Sequence, residues 1–393
     1  MFYRIPLTCL LLAALQAGAE IQVHTNFPGG AIELHDINHR TQTITFGPAD
    51  HKNRGWVCCW YFKLTGIDTS KPITLRLQSK NSFGRPTRAM FSLDNTTWKH
   101  TSAGKHRGPN ATYVHRSTKE TIWFGWGVPF QLADATRLVD RIAKAKVGAE
   151  KFELCKSNEG RSVPALKWEP NQPAPRRGIW IEARQHAWES GSSWVCQGLL
   201  EWLASDDERA VRLRNSARIV IVPIMDVDNV ERGAGGKNQI PHDHNRDWNA
   251  KPRYAEVAAA QQLIKQMDAE GEFDMFLDLH NPGPRDGIPF FFAPPKTHLS
   301  PERMANHKRF HEICLQTLGK EPLGFSKTLR ISGPGYHPLW RAISKNWIAE
   351  NTAKHTVALT LETSWNTENS TQTGYLAYGR ALGQALAGYF LTK

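Results

Sequence analysis

From about residue 153 to the C-terminus, short apolar segments with the composition of buried strands alternate with longer segments of helical periodicity. The strand segments are Ile179 to Ala183, Ile219 to Val222, Phe273 to Leu279 and Val357 to Leu361. The helical segments are Ser190 to Ala204, Tyr254 to Met267, Pro301 to Leu318 and Thr373 to Leu391. This alternation predicts an α/β domain over residues 156–393, with a mixed, largely parallel central sheet flanked by helices. Because ligands bind at the carboxyl ends of the strands in such sheets, functional residues are expected there.

The part of the chain before this domain has a different pattern. Between residues 20 and 130, short strand-like segments are separated by turn formers such as Pro28-Gly29-Gly30 and Asp94-Asn95. Strands at this spacing predict an all-β sandwich domain at the N-terminal side. A helical pattern from about Ala133 to Ala145 then predicts a helical linker over residues 131–155.

The extreme N-terminus has the pattern of a secretory signal peptide. Arg4 precedes the apolar run Leu7 to Leu15, and small residues follow at positions 17–19. The run is too short to span a bilayer. We therefore expect residues 1–19 to be removed on export and the mature protein to be periplasmic or secreted. No other segment of the sequence has the pattern of a membrane span.

The net charge indicates which partners to expect, and the cysteine spacing indicates whether disulfide bridges are present. The 393 residues carry a formal net charge of +12, which favours acidic partners such as anionic peptides or cell-wall polymers. No dense block of lysine and arginine is present, so nucleic acid is not an expected partner. The five cysteines after the leader have neither the spacing of a disulfide framework nor that of a zinc knuckle. We expect mostly buried thiols with at most one or two disulfide bridges.

Two of the predicted strands are followed by residues that bind metals. His186 and Glu189 are three residues apart on a turn that enters a helix, so one imidazole and one carboxylate can face the same point. Taken alone, a histidine and a glutamate at this spacing are also typical of a surface ion pair. His280 ends a buried strand, where a hydrogen-bonded core histidine is the ordinary interpretation. Together the three residues form the open ligand set of a catalytic zinc, with water as the fourth ligand.

A third strand end and one loop supply groups that suit hydrolysis. Glu362 is the last residue of an otherwise apolar strand, and beside a zinc it would be the general base for the water. Its alternative role is a capping carboxylate. Asn245 and Arg246 offer an amide and a planar guanidinium that suit a substrate carboxylate, although a solvated charged loop has the same composition. His242 and His244 are interpreted as loop residues rather than ligands.

The four motifs together resemble a known family. His-x-x-Glu, Asp-x-Asn-Arg, a strand-end Asp-Leu-His and a late Thr-Leu-Glu occur in the order found in the M14 zinc metallocarboxypeptidases. The segments Ala183 to His186 and Pro223 to Asp228 resemble the cytosolic-carboxypeptidase-like subgroup. An aromatic-rich β-domain that ends at Val128-Pro129-Phe130 and leads into a helix is a further similarity. The resemblance extends over essentially the whole chain after the leader, and the predicted export indicates a bacterial-type member.

The resemblance implies a role for each motif residue. His186, Glu189 and His280 would hold one Zn²⁺ per chain, Glu362 would be the catalytic base, and Asn245 with Arg246 would hold the terminal carboxylate. The sequence departs from the subgroup at Ala187-Trp188, where Pro-Gly is usual. The family's carbonyl-polarising arginine has no clear counterpart, and Arg232 and Lys237 are the candidates. Tyr336 is the candidate for the substrate-capping tyrosine; a turn residue packed on Trp340 is its alternative interpretation.

The expected function is therefore a zinc metallocarboxypeptidase that hydrolyses the C-terminal residue of peptides with a free carboxylate. The subgroup and the basic net charge suggest acidic ends, glutamate in particular, and the predicted export suggests cell-wall peptides as a source. One alternative is a zinc amidase that acts on peptidoglycan stem peptides or N-acyl amino acids. A second alternative is a non-catalytic protein that binds peptide or cell-wall ends.

Overall fold

The computed structural model describes residues 20–170, 177–320 and 322–391. The predicted signal peptide lies outside the described residues. Within them, the strands are β1 (Gln22–His24), β2 (Glu33–Asn38), β3 (Thr43–Gly47), β4 (Tyr61–Thr65), β5 (Ile73–Leu77), β6 (Met90–Ser92), β7 (Lys99–His100), β8 (Lys105–Arg107), β9 (Asn110–His115), β10 (Ile122–Gly125), β11 (Ala149–Lys156), β12 (Ser162–Trp168), β13 (Arg177–Ala183), β14 (Ala217–Val222), β15 (Met275–His280), β16 (Phe290–Ala293), β17 (Arg330–Ile331) and β18 (Val357–Glu362). The α-helices are α1 (Leu132–Lys144), α2 (Ser190–Leu203), α3 (Glu208–Ser216), α4 (Val227–Arg232), α5 (Ala255–Ala269), α6 (Pro301–Leu318), α7 (Ser344–Asn351) and α8 (Gln372–Leu391). No helix of these described segments is long and apolar enough to cross a bilayer.

The first ten strands form two five-stranded sheets, with the orders β1-β4-β10-β6-β7 and β2-β3-β5-β9-β8. The first sheet is antiparallel throughout, and the second has one parallel pair, β3 with β5. In β5, Ile73, Leu75 and Leu77 are buried while Arg76 is exposed, which is the alternation of a strand with one buried face. Apolar side chains of both sheets form a shared core. The predicted β-domain is therefore a sandwich.

The α/β part has an eight-stranded sheet in the order β11-β12-β14-β13-β15-β18-β16-β17. Its central strands β14, β13, β15 and β18 run parallel, whereas β11 and β12 are antiparallel to their neighbours. Strand β16 is antiparallel to β18 and parallel to β17. The parallel strands are buried on both faces, so their sequences are continuous apolar runs rather than alternating ones. This confirms the predicted fold class. It also places the carboxyl ends of β13, β15 and β18 side by side.

Helices α2 and α8 pack closely against each other. A Cβ atom added at Gly198 would lie 2.2 Å from the carbonyl oxygen of Leu376, and one at Gly379 would lie 2.0 Å from that of Val195. Only glycine permits this approach of the two backbones. Because α2 begins directly after Glu189, the packing holds the start of that helix in place at the edge of the sheet.

One element differs from the sequence predictions. The predicted linker contains helix α1 as expected, but Ala149–Lys156 is an edge strand that pairs with β12. Its charged residues are exposed at the edge of the sheet, where lysine and glutamate are common, and this composition conceals the strand. The cysteines agree with the expectation of mostly buried thiols: Cys58, Cys59, Cys155, Cys196 and Cys314 are all free, and three of them are buried.

Candidate metal centre and catalytic cavity

The predicted site residues converge because three parallel strands end together. The turn that carries His186 follows β13, and His280 is the last residue of β15. The register of β15 with β18 pairs His280 directly with Glu362. Residues paired across adjacent strands lie about 5 Å apart, so the base candidate and one ligand candidate are neighbours by backbone geometry alone.

The three ligand candidates form one compact, buried group. Glu189 Oε1 lies 2.8 Å from His186 Nδ1, and Glu189 Oε2 lies 2.6 Å from His280 Nδ1. One ligand atom from each residue lies within 4.8 Å of the others. Burial alone would raise the pKa of Glu189, but His186 and His280 lower it, so the carboxylate is ionised. Two imidazole nitrogens and one carboxylate are the donor set of a catalytic zinc.

The outer nitrogen of each imidazole faces another carboxylate. His186 Nε2 lies 3.5 Å from Asp243 Oδ1, and His280 Nε2 lies 2.9 Å from Asp278 Oδ2. Metal-binding histidines usually donate their second N–H to such a group, which fixes the ring and its tautomer. Both rings therefore present Nδ1 to the same point, and the residues present fit a zinc ion. The sequence analysis quoted the motifs that contain Asp243 and Asp278 without assigning either residue a role.

The ligand candidates open onto a narrow cavity at the sheet edge. The free volume of this cavity is about 20 Å³. For comparison, a single water molecule needs about 10–15 Å³. A peptide end can therefore enter only if side chains that line the cavity move. Three basic residues from three different segments share the cavity with Glu362: Lys237, Arg246 and Lys345.

Glu362 has the environment of a general base. It lines the cavity beside His280. Burial is the main reason that the pKa of Glu362 is raised, to about 7, and the nearby charge of Glu189 adds to the effect. His280, Lys237 and Lys345 act in the opposite direction. A carboxylate tuned toward neutral pH accepts a proton from water more readily than an exposed glutamate does.

Part of the chain matches a known protein family. Residues 137–283 match the Peptidase_M14 family model, described as zinc carboxypeptidase. Over 109 residues, the chain is 33% identical to cytosolic carboxypeptidase 6 of Caenorhabditis elegans. This part of the chain is similar to the M14 zinc carboxypeptidases. The resemblance noted in the sequence is thereby confirmed, and the matched range contains all three ligand candidates but not Glu362.

Other relatives cover more of the chain. Over 278 residues the chain is 28% identical to the uncharacterized protein ZMO1242 of Zymomonas mobilis. The match covers 69% of this chain and 70% of that protein. The match to the nematode carboxypeptidase covers 27% of this chain and 24% of the relative, so the chain spans about a quarter of it. A metallo-carboxypeptidase structure from Burkholderia cenocepacia superposes with a TM-score of 0.78 at 22% identity, covering 94% of this chain and 98% of that one. That likeness shows a shared fold.

The predicted carboxylate-binding pair is brought to the cavity, but its two members have different surroundings. The Asn245 amide nitrogen donates a hydrogen bond at 3.3 Å to Asp278 Oδ2, the carboxylate oxygen that faces His280, and the Asn245 oxygen accepts one from the Ser344 amide at 3.0 Å. Arg246 donates from Nη1 to the carbonyl oxygen of Asn245 at 2.7 Å. Within the described part of the chain, the buried Nε of Arg246 has no hydrogen-bond partner. Arg246 therefore has the free donor, while Asn245 braces a ligand and the start of α7.

The two candidates for a carbonyl-polarising cation are separated by the structure. Arg232, in the last turn of α4, binds Glu159 with contacts of 2.6 and 2.7 Å and does not line the cavity. Lys237 is five residues further on, after the chain reverses at Gly233 and Gly236, both with positive φ. Lys237 lines the cavity. Burial and the charge of Arg246 lower its pKa.

Lys345 and Tyr336 complete the cavity. Lys345 is only 2% exposed in the first turn of α7, and sequence analysis did not identify it because a lysine at a helix start usually faces water. Burial and the charge of Arg246 lower the pKa of Lys345 to about 7. Tyr336 lines the cavity at 46% exposure, and its ring lies 5.9 Å from the Arg246 guanidinium.

The turn between β13 and α2, residues 184–189, is called the metal loop below. Arg184, with φ of 67°, donates from Nε to the Ala187 carbonyl at 2.7 Å and from Nη1 to the Phe130 carbonyl at 3.1 Å. Trp188 occupies the place of the subgroup's glycine. Its ring contacts aromatic side chains from both domains: Trp56, Phe83, Trp126 and Trp365. The metal loop is therefore held by the β-domain as well as by the sheet.

The two loop histidines lie beside the site without joining it. His244 stacks on Tyr254 at a centroid distance of 4.0 Å and lies between Asp226 and Glu256. His242 Nε2 contacts Asp247 Oδ1 at 2.6 Å. Their interpretation as loop residues agrees with this placement.

Proposed function

We propose that this protein is a zinc-dependent carboxypeptidase of the M14 type that removes the C-terminal residue of peptides. One observation carries the proposal: a buried His-Glu-His group is paired through the sheet register with a partly buried carboxylate, Glu362, in a cavity that also holds three cations. A merely structural metal site would need neither a free carboxylate nor unpaired positive charge beside it.

Each residue has a distinct task in the proposed reaction. Zinc, when bound, would polarise the scissile carbonyl and lower the pKa of a water. Glu362 accepts the proton of the attacking water and then donates it to the leaving amine, as a general base and acid. Arg246 holds the terminal carboxylate through its free guanidinium donors. Lys237 is the cation that faces the carbonyl oxygen as negative charge develops there.

We further propose a preference for acidic C-terminal residues. Lys345 lines the same narrow cavity as Arg246 and Glu362, so the side chain of a terminal residue held by Arg246 would lie near a second buried cation. The positive net charge of +12 also favours acidic peptides during approach. The proposed location is outside the cytoplasm, supported by the signal-peptide pattern of residues 1–19, and cell-wall peptides with acidic ends are suitable substrates there.

Mass spectrometry of a peptide pool tests the proposed function. The pool is incubated with zinc-loaded protein, chelator-treated protein and the Glu362→Gln variant, which keeps the size of the side chain and removes the base. We expect loss of single C-terminal residues with the zinc-loaded wild type alone. Because positioned acid–base groups contribute about 10²- to 10⁴-fold, the variant should retain zinc and lose nearly all turnover.

The same experiment separates the proposal from its alternatives. Cleavage of N-acyl amino acids or muropeptides without cleavage of the peptide pool would replace the carboxypeptidase by a zinc amidase. Stoichiometric zinc and peptide binding without turnover on either substrate class would indicate a binding protein. Equal activity of the Glu362→Gln variant would refute the assigned role of the base.

A further inference from the structure

A short main-chain pairing joins the β-domain to the loop that carries Lys237. Its segment Asn53–Trp56 lies alongside residues 233–240, here called the lysine loop. The amide of Trp56 donates to the Lys237 carbonyl at 2.9 Å, and the amide of Gly236 donates to the Arg54 carbonyl at 2.9 Å. The amide of Ile240 donates to the Asn53 carbonyl at 3.0 Å. The lysine loop is thus bound on both sides of Lys237.

Two glycines show how close this approach is. A Cβ atom at Gly235 would lie 2.1 Å from the Trp56 carbonyl oxygen. A Cβ atom at Gly55, where φ is +92°, would lie 2.5 Å from the Lys237 carbonyl oxygen. Neither position accepts a side chain without separating the two segments. A glycine in each segment therefore allows the two backbones to pack directly against each other.

The Trp56 side chain extends the contact to the lysine head group. Lys237 Nζ lies 5.4 Å from the centroid of the Trp56 ring, within the range in which a ring attracts a cation. The Trp56 ring also contacts two other aromatic rings. Its centroid lies 4.3 Å from that of Phe83 and 6.2 Å from that of Trp188 in the metal loop. Lys237 has a flexible four-carbon stem, so a fixed ring beside Nζ restricts where its charge can be.

We infer that Trp56 is a positioning residue that holds the Lys237 ammonium in the catalytic cavity, so that the β-domain acts on the active site through Lys237. This inference rests on the proposed function, in which Lys237 faces the carbonyl oxygen. An arginine would present a rigid planar fork at that point, whereas a lysine is a mobile point charge. The aromatic ring of the neighbouring domain supplies the order that the lysine lacks.

A double-mutant cycle with Trp56→Ala and Lys237→Met tests the coupling. We expect Trp56→Ala to lower kcat by about 10-fold with KM nearly unchanged, the scale of one desolvated cation–ring contact. Trp56→Phe, which retains a ring, should recover most of the loss. In the Lys237→Met background, Trp56→Ala should have little further effect, because the group on which it acts is absent. If the decrease in kcat of the double variant equals the product of the decreases in the two single variants, the inference is overturned. Loss of zinc from Trp56→Ala would also overturn it.

The control is a similar pair elsewhere in the β-domain. Lys63 Nζ lies 5.2 Å from the Trp123 ring, and neither residue lines the catalytic cavity. Trp123→Ala should leave kcat and zinc content unchanged. It controls for general weakening of the β-domain.

Acetic anhydride labelling followed by peptide mass spectrometry reads out the contact without any activity. Trp56→Ala should raise the acetylation rate of Lys237 and leave that of Lys63 unchanged, and Trp123→Ala should do the reverse. An unchanged rate at Lys237 in Trp56→Ala would overturn the inference. If the labelling changes as expected while the wild type cleaves no peptide, the proposed function fails and the contact between Trp56 and Lys237 stands.

Discussion

Replacement of Lys345 by methionine tests the proposed specificity of the cavity. Lys345 is 2% exposed, and its Nζ lies 5.6 Å from the centroid of the Phe292 ring. Methionine has a similar length and no charge, so the packing of the first turn of α7 is largely retained. If Lys345 binds the side chain of an acidic terminal residue, the variant loses one charge-assisted contact and little else.

The magnitude follows from the burial of the lysine. A hydrogen bond to a charged partner contributes about 1.5–3 kcal/mol, and each 1.4 kcal/mol corresponds to about tenfold. Two peptides that differ only in a terminal Glu or Gln isolate this contact, because the two side chains have the same shape. The ratio of their kcat/KM values should therefore decrease by about 10- to 100-fold in Lys345→Met, while the rate for the Gln peptide changes little.

The ratio should also depend on pH with a definite sign. Because burial and Arg246 lower the pKa of Lys345 to about 7, its ammonium is present below that pH and is lost as the pH rises through it. Since kcat/KM reports the free enzyme, the wild-type preference for Glu over Gln should decrease between about pH 6 and about pH 8.5. Lys345→Met should show no such trend.

Competition assays that follow both peptides in one reaction by mass spectrometry measure the ratio directly. Lys265→Met is the matched control, because Lys265 Nζ lies 5.4 Å from the Trp347 ring of the same helix α7 but outside the cavity. An unchanged ratio in Lys345→Met, or an equal loss in Lys265→Met, would refute the assignment of Lys345 to substrate recognition.

Two further predictions concern the metal centre. Asp243→Asn removes the carboxylate opposite His186 Nε2 and should weaken zinc binding by about 10- to 100-fold; competition with a chromogenic chelator measures this, and the exposed Asp36→Asn should have no effect. The kcat/KM profile should have an acid limb, because Glu362 must be ionised to act as a base and its activity is lost as pH falls through its pKa. In the metal-free chain that pKa is about 7, and the positive charge of zinc lowers it, so an acid limb centred above pH 7 would contradict the assignment.

The metal group and the base were accessible from sequence because the chain marks strand ends clearly. The apolar runs before His280 and Glu362 predict buried strands, and parallel strands bring their carboxyl ends to one edge. The register that pairs His280 with Glu362 then follows from the same geometry. Polar residues at these positions stand out because nothing in a buried strand requires them.

The cations of the cavity were harder to predict because their positions depend on distant contacts. Arg232 and Lys237 are equally plausible in sequence, and they separate only because a salt bridge with Glu159 holds Arg232 outside while the β-domain holds the lysine loop inward. Lys345 has the sequence context of an exposed helix start, and it is buried only because α7 packs against β15 and β18. Such contacts have no local sequence signal.

The balance of charge in the cavity links metal binding to the proposed substrate. The carboxylates of Glu189, Glu362, Asp243 and Asp278 outnumber the cations of Lys237, Arg246 and Lys345. Without metal, burial would lower the pKa of His280, but Asp278 and Glu189 raise it, so an imidazolium offsets the excess of negative charge. A zinc ion requires neutral imidazole and adds two positive charges, so the sum of these charges changes from zero without metal to +1 with it. The metal-loaded cavity therefore attracts a substrate end with two carboxylates more strongly than the metal-free one does, so the proposed preference for acidic residues depends on the metal as well as on Lys345.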